Sequence, residues 1–204
     1  MTAATICAYD QNALAYAETT GSYAGFPQVE RIMHDFEANL ARESVIVDVG
    51  CGAGRECRFF GSRGHTVIGV DLSIPLLATW DNQVGSVARV AADMRTLPFN
   101  DDAISAIVAA SSIIHLPHKD LVRTIQEFAR VLESNGMILI TFPIVESTGW
   151  TIRESLAAPR WFSRFEEDEV LQALNVNDFL DAVSQPSGEQ WISISAKRRS
   201  RPAT

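Results

Sequence analysis

The chain has 204 residues, of which 47% are hydrophobic and 21% are charged, values typical of a folded globule rather than a disordered or fibrous chain. Its 17 basic and 25 acidic residues give a net charge of −8, which disfavours nucleic acid and anionic lipid as partners. The length favours a single domain covering residues 1–204, because one domain takes about 150 residues on average.

No apolar run in the sequence is long enough to cross a membrane, and the first residues lack the pattern of a secretory signal. We therefore expect a cytoplasmic protein with no membrane partner. The three cysteines lack CxxC spacing and indicate neither a disulfide framework nor a zinc site.

The first predicted elements are a short helix near Tyr9–Thr20 and an amphipathic helix near Gln28–Ala41. We interpret residues 1–27 as a cap or lid. Short apolar runs then predict buried strands at Val45–Val49, Thr66–Val70, Ile104–Ala109 and Met137–Phe142. A further, weak strand is predicted at Val87–Ala91. Helices are predicted between them at Arg55–Ser62, Ile74–Asp81 and Asp120–Leu132. This alternation predicts an α/β fold, with a parallel sheet covered by helices on both faces.

Residues 143–166 have no regular pattern and are predicted to form a long functional loop. A helix at Glu167–Leu174 and two strands, Phe179–Val183 and Trp191–Ser195, should follow as a helix and antiparallel hairpin within residues 167–197. The turn of this hairpin is predicted at residues 186–188. Residues 198–204, together with Lys197, are expected to be a solvated tail.

The most informative motif is VIVDVGCGAG at residues 45–54, where a strand leads into Gly50, Gly52 and Gly54 and a helix follows. Glycines permit a tight turn and let backbone N–H groups approach a ligand closely. Arg55 stands where the dinucleotide fingerprint requires its third glycine, and the Asp48 carboxylate would repel a diphosphate. The motif therefore predicts a cofactor site that favours a positively charged ligand.

Two more aspartates follow the next strands along the chain. Asp71 ends the strand after the glycine loop, where a carboxylate accepts both hydroxyl protons of a ribose. Asp93 follows the weak strand at Val87–Ala91. Because parallel strands end at one edge of a sheet, these aspartates and Asp48 are expected on the same rim, which indicates a nucleoside ligand.

Taken in order, the segments VDVGCGAGR, GVDLS, ADMRTLPF, SSIIHLP and VLESNGMILITF resemble class I S-adenosylmethionine-dependent methyltransferases. The resemblance spans roughly Ala8 to Lys197. It is especially close to the small single-domain bacterial type that acts on small molecules, whose YDxxAxxY and RWF segments resemble Tyr9–Tyr16 and Arg160–Phe162.

The resemblance implies a Rossmann-like, doubly wound sheet of seven strands, mostly parallel with an antiparallel C-terminal strand. It implies S-adenosyl-L-methionine as cofactor, S-adenosyl-L-homocysteine as product, a cofactor-binding core at residues 28–142 and an acceptor-side loop at residues 143–166. The implied cofactor-binding residues are Tyr16, Asp48, Gly50, Cys51, Gly52, Gly54, Arg55, Asp71, Leu72, Asp93, Met94, Ala110 and Ser111.

Within this implied site the glycine loop would pass under the methionine part of the cofactor, and Asp48 would face its ammonium group or a backbone amide. Asp71 would hold the ribose. Asp93 and Met94 would frame the adenine, whose other face Leu72 would cover.

By position, Arg55 matches an arginine of the small single-domain type that the chain resembles. It would pair with the methionine carboxylate of the cofactor or, alternatively, lie exposed in the first turn of its helix.

The chain departs from the family pattern at two turns. Residues 134–136 read Ser-Asn-Gly instead of Pro-Gly-Gly, and Asn177 and Asp178 replace a glycine before the sixth strand. Because Asn and Asp tolerate left-handed backbone geometry, we expect the fold to survive both changes.

His115, just past the fourth strand, is the candidate catalytic base, because the unperturbed pKa of histidine suits that role. The alternative is a structural histidine that is hydrogen-bonded beneath Tyr16. His118 lies three residues on, but we expect no carboxylate beside it and therefore predict no metal site.

The predicted function is transfer of a methyl group from S-adenosylmethionine to a small-molecule acceptor by direct in-line displacement. The alternatives are a non-catalytic S-adenosylmethionine-binding sensor or scaffold and, less favoured by the glycine spacing, a nicotinamide-dependent oxidoreductase. We expect a monomer or homodimer without a nucleic-acid partner.

Overall fold

The computed structural model describes residues 2–80, 87–153, 155–186 and 191–200. The α-helices among them are α1 (Ala3–Gln11), α2 (Ala13–Thr20), α3 (Pro27–Glu37), α4 (Arg55–Gly61), α5 (Ile74–Ala78), α6 (Leu121–Val131) and α7 (Glu167–Asn175). The strands are β1 (Val45–Val49), β2 (Thr66–Asp71), β3 (Ala88–Ala91), β4 (Ile104–Ala110), β5 (Leu132–Pro143), β6 (Gly149–Arg153), β7 (Leu156–Phe162), β8 (Phe179–Pro186) and β9 (Trp191–Arg198).

Seven of these strands form one sheet in the order β3-β2-β1-β4-β5-β9-β8. Strands β1 to β5 pair in parallel, whereas β9 runs antiparallel to both β5 and β8. The predicted Rossmann-like α/β fold with an antiparallel C-terminal strand is therefore confirmed. Strand order reverses between β1 and β4, and in open parallel sheets ligands bind at such a reversal, beyond the carboxyl ends of the strands.

The central strands are buried on both faces, which explains their nearly continuous apolar sequences. Val47 and Val49 of β1 belong to one core cluster, beneath α6 and α7. Ile46 of the same strand belongs to a second cluster, which contains Met33 of α3 and Phe60 of α4. Alternate side chains of β1 thus fix helices to opposite faces of the sheet.

The N-terminal cap contains two helices rather than the single short helix predicted near Tyr9–Thr20. They meet at Asn12, whose backbone leaves the helical region. The Asn12 side chain donates a hydrogen bond to the Ala8 carbonyl at 2.8 Å. Such a local side-chain bond competes with the helical ladder, which accounts for the break.

The prediction of an irregular loop at residues 143–166 is wrong, because this segment contains the antiparallel hairpin β6–β7. Trp150 lies opposite Trp161 in this hairpin, with ring centroids 6.0 Å apart. Cross-strand aromatic pairs of this kind stabilise a two-stranded ribbon. Pro159 is tolerated because a two-stranded sheet consists of edge strands.

The prediction of a solvated tail is wrong for Lys197 and Arg198, because β9 continues to Arg198. The Arg198 side chain is 4% exposed and donates hydrogen bonds to the Asp102 carboxylate and the Leu132 carbonyl. Residues 201–204, and the predicted turn at residues 187 and 188, lie outside the described part of the chain.

The two departures from the family pattern take the expected backbone geometry. Asn135 has φ of 66° and Asp178 has φ of 62°, both in the left-handed region. Within the described residues, no helix combines the length and apolar character needed to cross a membrane.

Arg198→Ala should lower the free energy of unfolding by about 2 to 3 kcal/mol, because it leaves the buried Leu132 carbonyl without its donor. Urea denaturation monitored by circular dichroism measures this change. The matched control is Arg199→Ala, because Arg199 is largely exposed and its ion pair with Asp178 is on the surface; its effect should stay below about 0.5 kcal/mol. Equal effects of the two substitutions would contradict a structural role for Arg198.

Candidate active site

The loop between β1 and α4 has the conformation that its glycines permit. Gly50, Gly52 and Gly54 have φ values of 73°, 51° and 77°, all in the left-handed region. The Gly50 amide donates to the Val70 carbonyl at 2.7 Å, which fixes the start of the loop to the end of β2. The predicted strand, glycine loop and helix are therefore confirmed.

Trp80 packs against the glycine loop, a contact that was not predicted from the sequence. Its indole Nε1 donates a hydrogen bond to the Gly52 carbonyl at 2.8 Å. A Cβ added to Gly54 would lie 2.4 Å from Trp80 Cε2, and one added to Gly69 would lie 2.4 Å from Trp80 Cη2. Glycine is thus required at both positions for the indole to pack, a contact between elements that no local motif reveals.

Asp71 lies at the end of β2, where the sequence analysis placed it. One carboxylate oxygen accepts a hydrogen bond from the Gly52 amide at 2.9 Å, and the other accepts one from the Ser73 amide at 2.8 Å. Burial raises the pKa of Asp71, while these backbone amides oppose that rise. Since a carboxylate offers about four acceptor positions, each oxygen keeps capacity for a further donor.

Asp48 is 1% exposed and lies beneath the loop. Its carboxylate accepts a hydrogen bond from the Cys57 thiol at 3.3 Å, so it does not cap backbone amides in the way the sequence analysis considered. Burial and the neighbouring Glu56 raise the pKa of Asp48 well above its usual range. Its predicted contact with a ligand's ammonium group stays a prediction.

Arg55 is not the exposed first-turn residue that one interpretation expected. Its guanidinium forms an ion pair with Glu56 at 2.6 Å and lies 5.1 Å from the Tyr23 ring centroid and 5.0 Å from that of Phe26. The positive charge of Arg55 is therefore already matched at this end of the site. Pairing with a methionine carboxylate stays a prediction.

A cavity of about 750 Å³ runs from the glycine loop, past the end of β4, to the β6–β7 hairpin. This volume lies in the range of pockets that hold a cofactor or a drug-sized ligand. Of the predicted residues, the described lining includes Tyr16, Gly50, Cys51, Gly52, Arg55, Ala110, Ser111 and His115. It does not include Asp48, Gly54, Asp71, Leu72, Asp93 or Met94.

The residues predicted to frame an adenine have other partners in the structure. The Asp93 carboxylate forms an ion pair with Arg95 at 2.6 Å, and this guanidinium lowers the pKa of Asp93. Met94 is buried in the core cluster beneath α6. Contact of these residues with an adenine stays a prediction.

Ser111, directly after β4, has a left-handed backbone with φ of 56°. Its amide donates to the Thr141 carbonyl at 2.8 Å, which holds this conformation at the edge of the cavity. Unfavourable backbone geometry in a non-glycine residue concentrates at functional sites, which agrees with the predicted place of Ser111 in the site.

The cap covers the glycine loop through two tyrosines. Tyr16 Cε1 lies 3.5 Å from where a Gly52 Cβ would stand, so the phenol lies against the loop. Tyr9 packs edge-on against Tyr16, with ring centroids 5.0 Å apart. Both side chains line the cavity.

His115 is buried and both of its ring nitrogens have partners. Nδ1 lies 2.6 Å from the Trp161 carbonyl, which can only accept, so Nδ1 carries the proton. Nε2 therefore accepts a hydrogen bond from the Tyr9 hydroxyl at 2.9 Å, and the Tyr9 oxygen in turn accepts one from Arg160 at 3.0 Å. These bonds support the structural interpretation of His115, although the packing partner is Tyr9 rather than Tyr16.

Burial lowers the pKa of His115 to about 4, and the Arg160 charge adds to this effect. The ring is therefore neutral at neutral pH. Its role as a catalytic base stays a prediction, and any proton that it receives on Nε2 must displace or pass through the Tyr9 hydroxyl.

The expectation that no carboxylate lies beside His118 is wrong, because its Nδ1 is 2.9 Å from Glu169 Oε1. The described part of the chain nevertheless contains no group of three or more His, Cys, Asp or Glu residues placed to hold a metal ion.

Arg153 and Arg160 both line the cavity, and the sequence analysis assigned neither of them to the site. Arg160 belonged only to the RWF resemblance, and no local pattern marks Arg153. Their positions depend on the fold of the hairpin.

The buried neutral state of His115 predicts a pH-dependent contribution to stability. Because its folded pKa of about 4 is below the unfolded value, the unfolded chain binds the proton first as pH falls. The contribution is complete above about pH 6.5 and is lost as pH falls toward about 4. Between pH 7.5 and 5.0, wild type should lose about 2 kcal/mol more unfolding free energy than His115→Gln.

Urea denaturation of both proteins at the two pH values measures this difference. Carboxyl groups titrate in both proteins, so the comparison isolates His115. The same pH-dependent loss in both proteins would show that His115 does not have a depressed pKa.

Comparison with known proteins agrees with this geometry. Residues 47–140 match a family model described as a methyltransferase domain. The methyltransferase GfsG of Streptomyces halstedii is 34% identical over 132 residues, which cover 61% of this chain and 46% of the relative. A probable tRNA methyltransferase 9B of Mus musculus is 32% identical over 116 residues, covering 56% of this chain and 24% of the relative. The chain thus spans less than half the length of either curated relative.

A solved structure agrees over a greater length. The 1,6-didemethyltoxoflavin-N1-methyltransferase of Burkholderia thailandensis has a TM-score of 0.68 and 18% sequence identity, with 98% of this chain and 92% of that chain covered. At this identity the likeness concerns the fold. Residues 47–140 thus match a methyltransferase domain, and the glycine loop and the sheet order agree with the resemblance to class I S-adenosylmethionine-dependent methyltransferases.

Proposed function

We propose that this protein transfers a methyl group from S-adenosylmethionine to a small-molecule acceptor. The observation that carries the proposal is the hydrogen bond that joins the glycine loop to the Asp71 carboxylate. Three left-handed glycines open the loop toward a ligand, and the Gly52 amide binds the carboxylate at the end of β2. This arrangement supports a nucleoside cofactor at the carboxyl edge of the sheet.

The residues present fit that cofactor. Each Asp71 oxygen accepts one backbone hydrogen bond and keeps capacity for a ribose hydroxyl. The rings of Tyr9 and Tyr16 are packed at the cavity beside the loop, where aromatic faces attract a sulfonium cation. Arg55, the first residue of α4, places a guanidinium close to the loop, where its charge is already paired with Glu56.

When bound, S-adenosylmethionine supplies a reactive methyl group, and S-adenosylhomocysteine remains after the transfer. The chain's own task is to align the acceptor atom and exclude water, as direct in-line displacement requires. The α1–α2 cap and the β6–β7 hairpin support this task, because Tyr9 and Tyr16 from the cap and Phe162 from the hairpin line the same cavity.

The proton chemistry of the acceptor end depends on Tyr9 and His115. His115 keeps its proton on Nδ1, bound to the Trp161 carbonyl, and its Nε2 is engaged by the Tyr9 hydroxyl. A proton released by the acceptor would reach His115 through that hydroxyl. We infer that His115 acts as a base only together with Tyr9, and otherwise orients it.

A small-molecule acceptor is favoured by the cavity volume of about 750 Å³ and by the net charge of −8, which opposes binding of a polyanion. Several curated relatives are named as probable tRNA methyltransferase 9B, so tRNA is the acceptor class to test beside small molecules. We further propose a cytoplasmic monomer or homodimer.

Asp71→Asn should weaken S-adenosylhomocysteine binding by about tenfold to a hundredfold, because it removes charge-assisted hydrogen bonds to the ribose and one acceptor for the loop amides. Isothermal titration calorimetry measures the dissociation constant. The exposed Asp35→Asn, on α3, is the matched control and should bind as wild type does. Failure of folded wild type to bind either S-adenosylmethionine or S-adenosylhomocysteine would overturn the proposed function, and binding of NADH instead would favour the oxidoreductase alternative.

Methyl transfer itself is tested with trideuteromethyl S-adenosylmethionine, given a small-molecule extract of the source cells or, separately, total tRNA. We expect a deuterium-labelled small molecule together with an equal amount of S-adenosylhomocysteine, as detected by mass spectrometry. Asp71→Asn serves as the low-affinity control. Label in tRNA would contradict the small-molecule acceptor, and tight binding without label in either pool would favour a non-catalytic sensor.

A further inference from the structure

Part of the cavity wall is formed by the β6–β7 hairpin, which brings two arginines to it. Arg153 is the last residue of β6, and Arg160 lies in β7. Arg160 is only 2% exposed, and Arg153 is half-buried. Both side chains line the cavity.

Neither arginine has a carboxylate partner within the described part of the chain. Arg160 donates to two uncharged oxygens, the Tyr9 hydroxyl at 3.0 Å and the Ser155 hydroxyl at 3.3 Å. Its Nε is buried and has no hydrogen-bond partner among the described residues. The Arg153 guanidinium contacts the face of Phe162, 5.1 Å from the ring centroid.

The two positive charges share this aromatic neighbour. The Arg160 guanidinium carbon lies 5.3 Å from the Phe162 ring centroid, and 5.2 Å from that of Tyr9. Burial and the nearby Arg160 charge lower the pKa of Arg153. Two positive charges thus lie beside one ring, and no carboxylate among the described residues neutralises them. This arrangement costs electrostatic free energy, which a bound anion would lower.

The charge at this end differs from the charge elsewhere in the cavity. At the glycine loop, the Arg55 cation is matched by Glu56 in an ion pair. At the hairpin, the described residues that line the cavity include two arginines and a serine but no aspartate or glutamate. This is so although the whole chain carries a net charge of −8. This local excess favours a ligand with a negative group.

We propose that Arg153 and Arg160 bind an oxyanion of the methyl acceptor, either a carboxylate or a phosphate. Guanidinium groups suit both, because their planar donors form charge-assisted pairs with oxyanions. The buried Nε of Arg160 is a donor without a hydrogen-bond partner among the described residues. The proposal rests on the proposed methyl transfer and assigns the class of acceptor to the same cavity.

The cofactor's own carboxylate is the competing occupant. Arg55 begins α4 directly after Gly54, so the loop already has an arginine beside it. Arg153 and Arg160 lie instead in the β6–β7 hairpin, which is hydrogen-bonded to the cap between Arg160 and Tyr9. We therefore assign the hairpin pair to the acceptor.

The test compares an anion with its neutral isostere on protein saturated with S-adenosylhomocysteine. Titration calorimetry with benzoate, phenyl phosphate and benzamide should give at least one anion a dissociation constant about tenfold or more below that of benzamide. Preference between benzoate and phenyl phosphate distinguishes a carboxylate from a phosphate. Binding of both anions no better than benzamide would overturn the proposal.

Arg153→Gln should weaken binding of the preferred anion by about tenfold and leave the dissociation constant of S-adenosylhomocysteine unchanged. Arg42→Gln removes the same charge from an exposed position and should alter neither constant. Loss of S-adenosylhomocysteine affinity in Arg153→Gln would assign this arginine to the cofactor and overturn the proposal. Absence of S-adenosylhomocysteine binding in wild type would instead overturn the proposed function.

Discussion

The hydrogen bond from the Gly52 amide to the Asp71 carboxylate joins the two parts of the molecule on which the site depends. Glycine adopts the left-handed turns of the loop after β1 without strain, but a glycine-rich segment loses much entropy when it becomes ordered. The Asp71 carboxylate accepts a hydrogen bond from the Gly52 amide, and the Trp80 indole donates one to the Gly52 carbonyl, so both backbone groups of Gly52 are fixed. The backbone amides of the loop are therefore ordered before any ligand arrives, and this lowers the entropic cost of binding.

The charge distribution divides the cavity into two ends with different chemistry. Near the glycine loop, acidic and basic groups are balanced by Asp71 and the Arg55–Glu56 ion pair. Near the hairpin, arginines meet neutral hydroxyls and aromatic rings. A difference of this kind would suit the proposed transfer between two molecules.

Features that depend on neighbouring residues were predictable from the sequence. The β1–loop–α4 unit follows from three glycines after an apolar run, and the left-handed turns at Asn135 and Asp178 follow from residue types that tolerate them. Strands β1, β2 and β4 were placed to within one residue because apolar side chains occupy both faces of the sheet, whereas β5 begins at Leu132, before its predicted start at Met137.

Features that depend on distant contacts were not predictable. The bond between Tyr9 and Arg160 joins residues 151 positions apart, and the bond between Tyr9 and His115 joins residues 106 positions apart. The hairpin β6–β7 owes its stability to the Trp150–Trp161 pair, whose members are adjacent only after the turn forms. Burial of Arg198 likewise depends on Asp102 and Leu132, which lie far away in the sequence.

One phenol oxygen connects three separate pieces of the chain. The Tyr9 hydroxyl, on α1, donates to the histidine after β4 and accepts from the arginine of β7. The position of α1 is therefore tied both to the segment that follows β4 and to the hairpin. Any displacement that separates α1 from both of them must break both hydrogen bonds of this one oxygen.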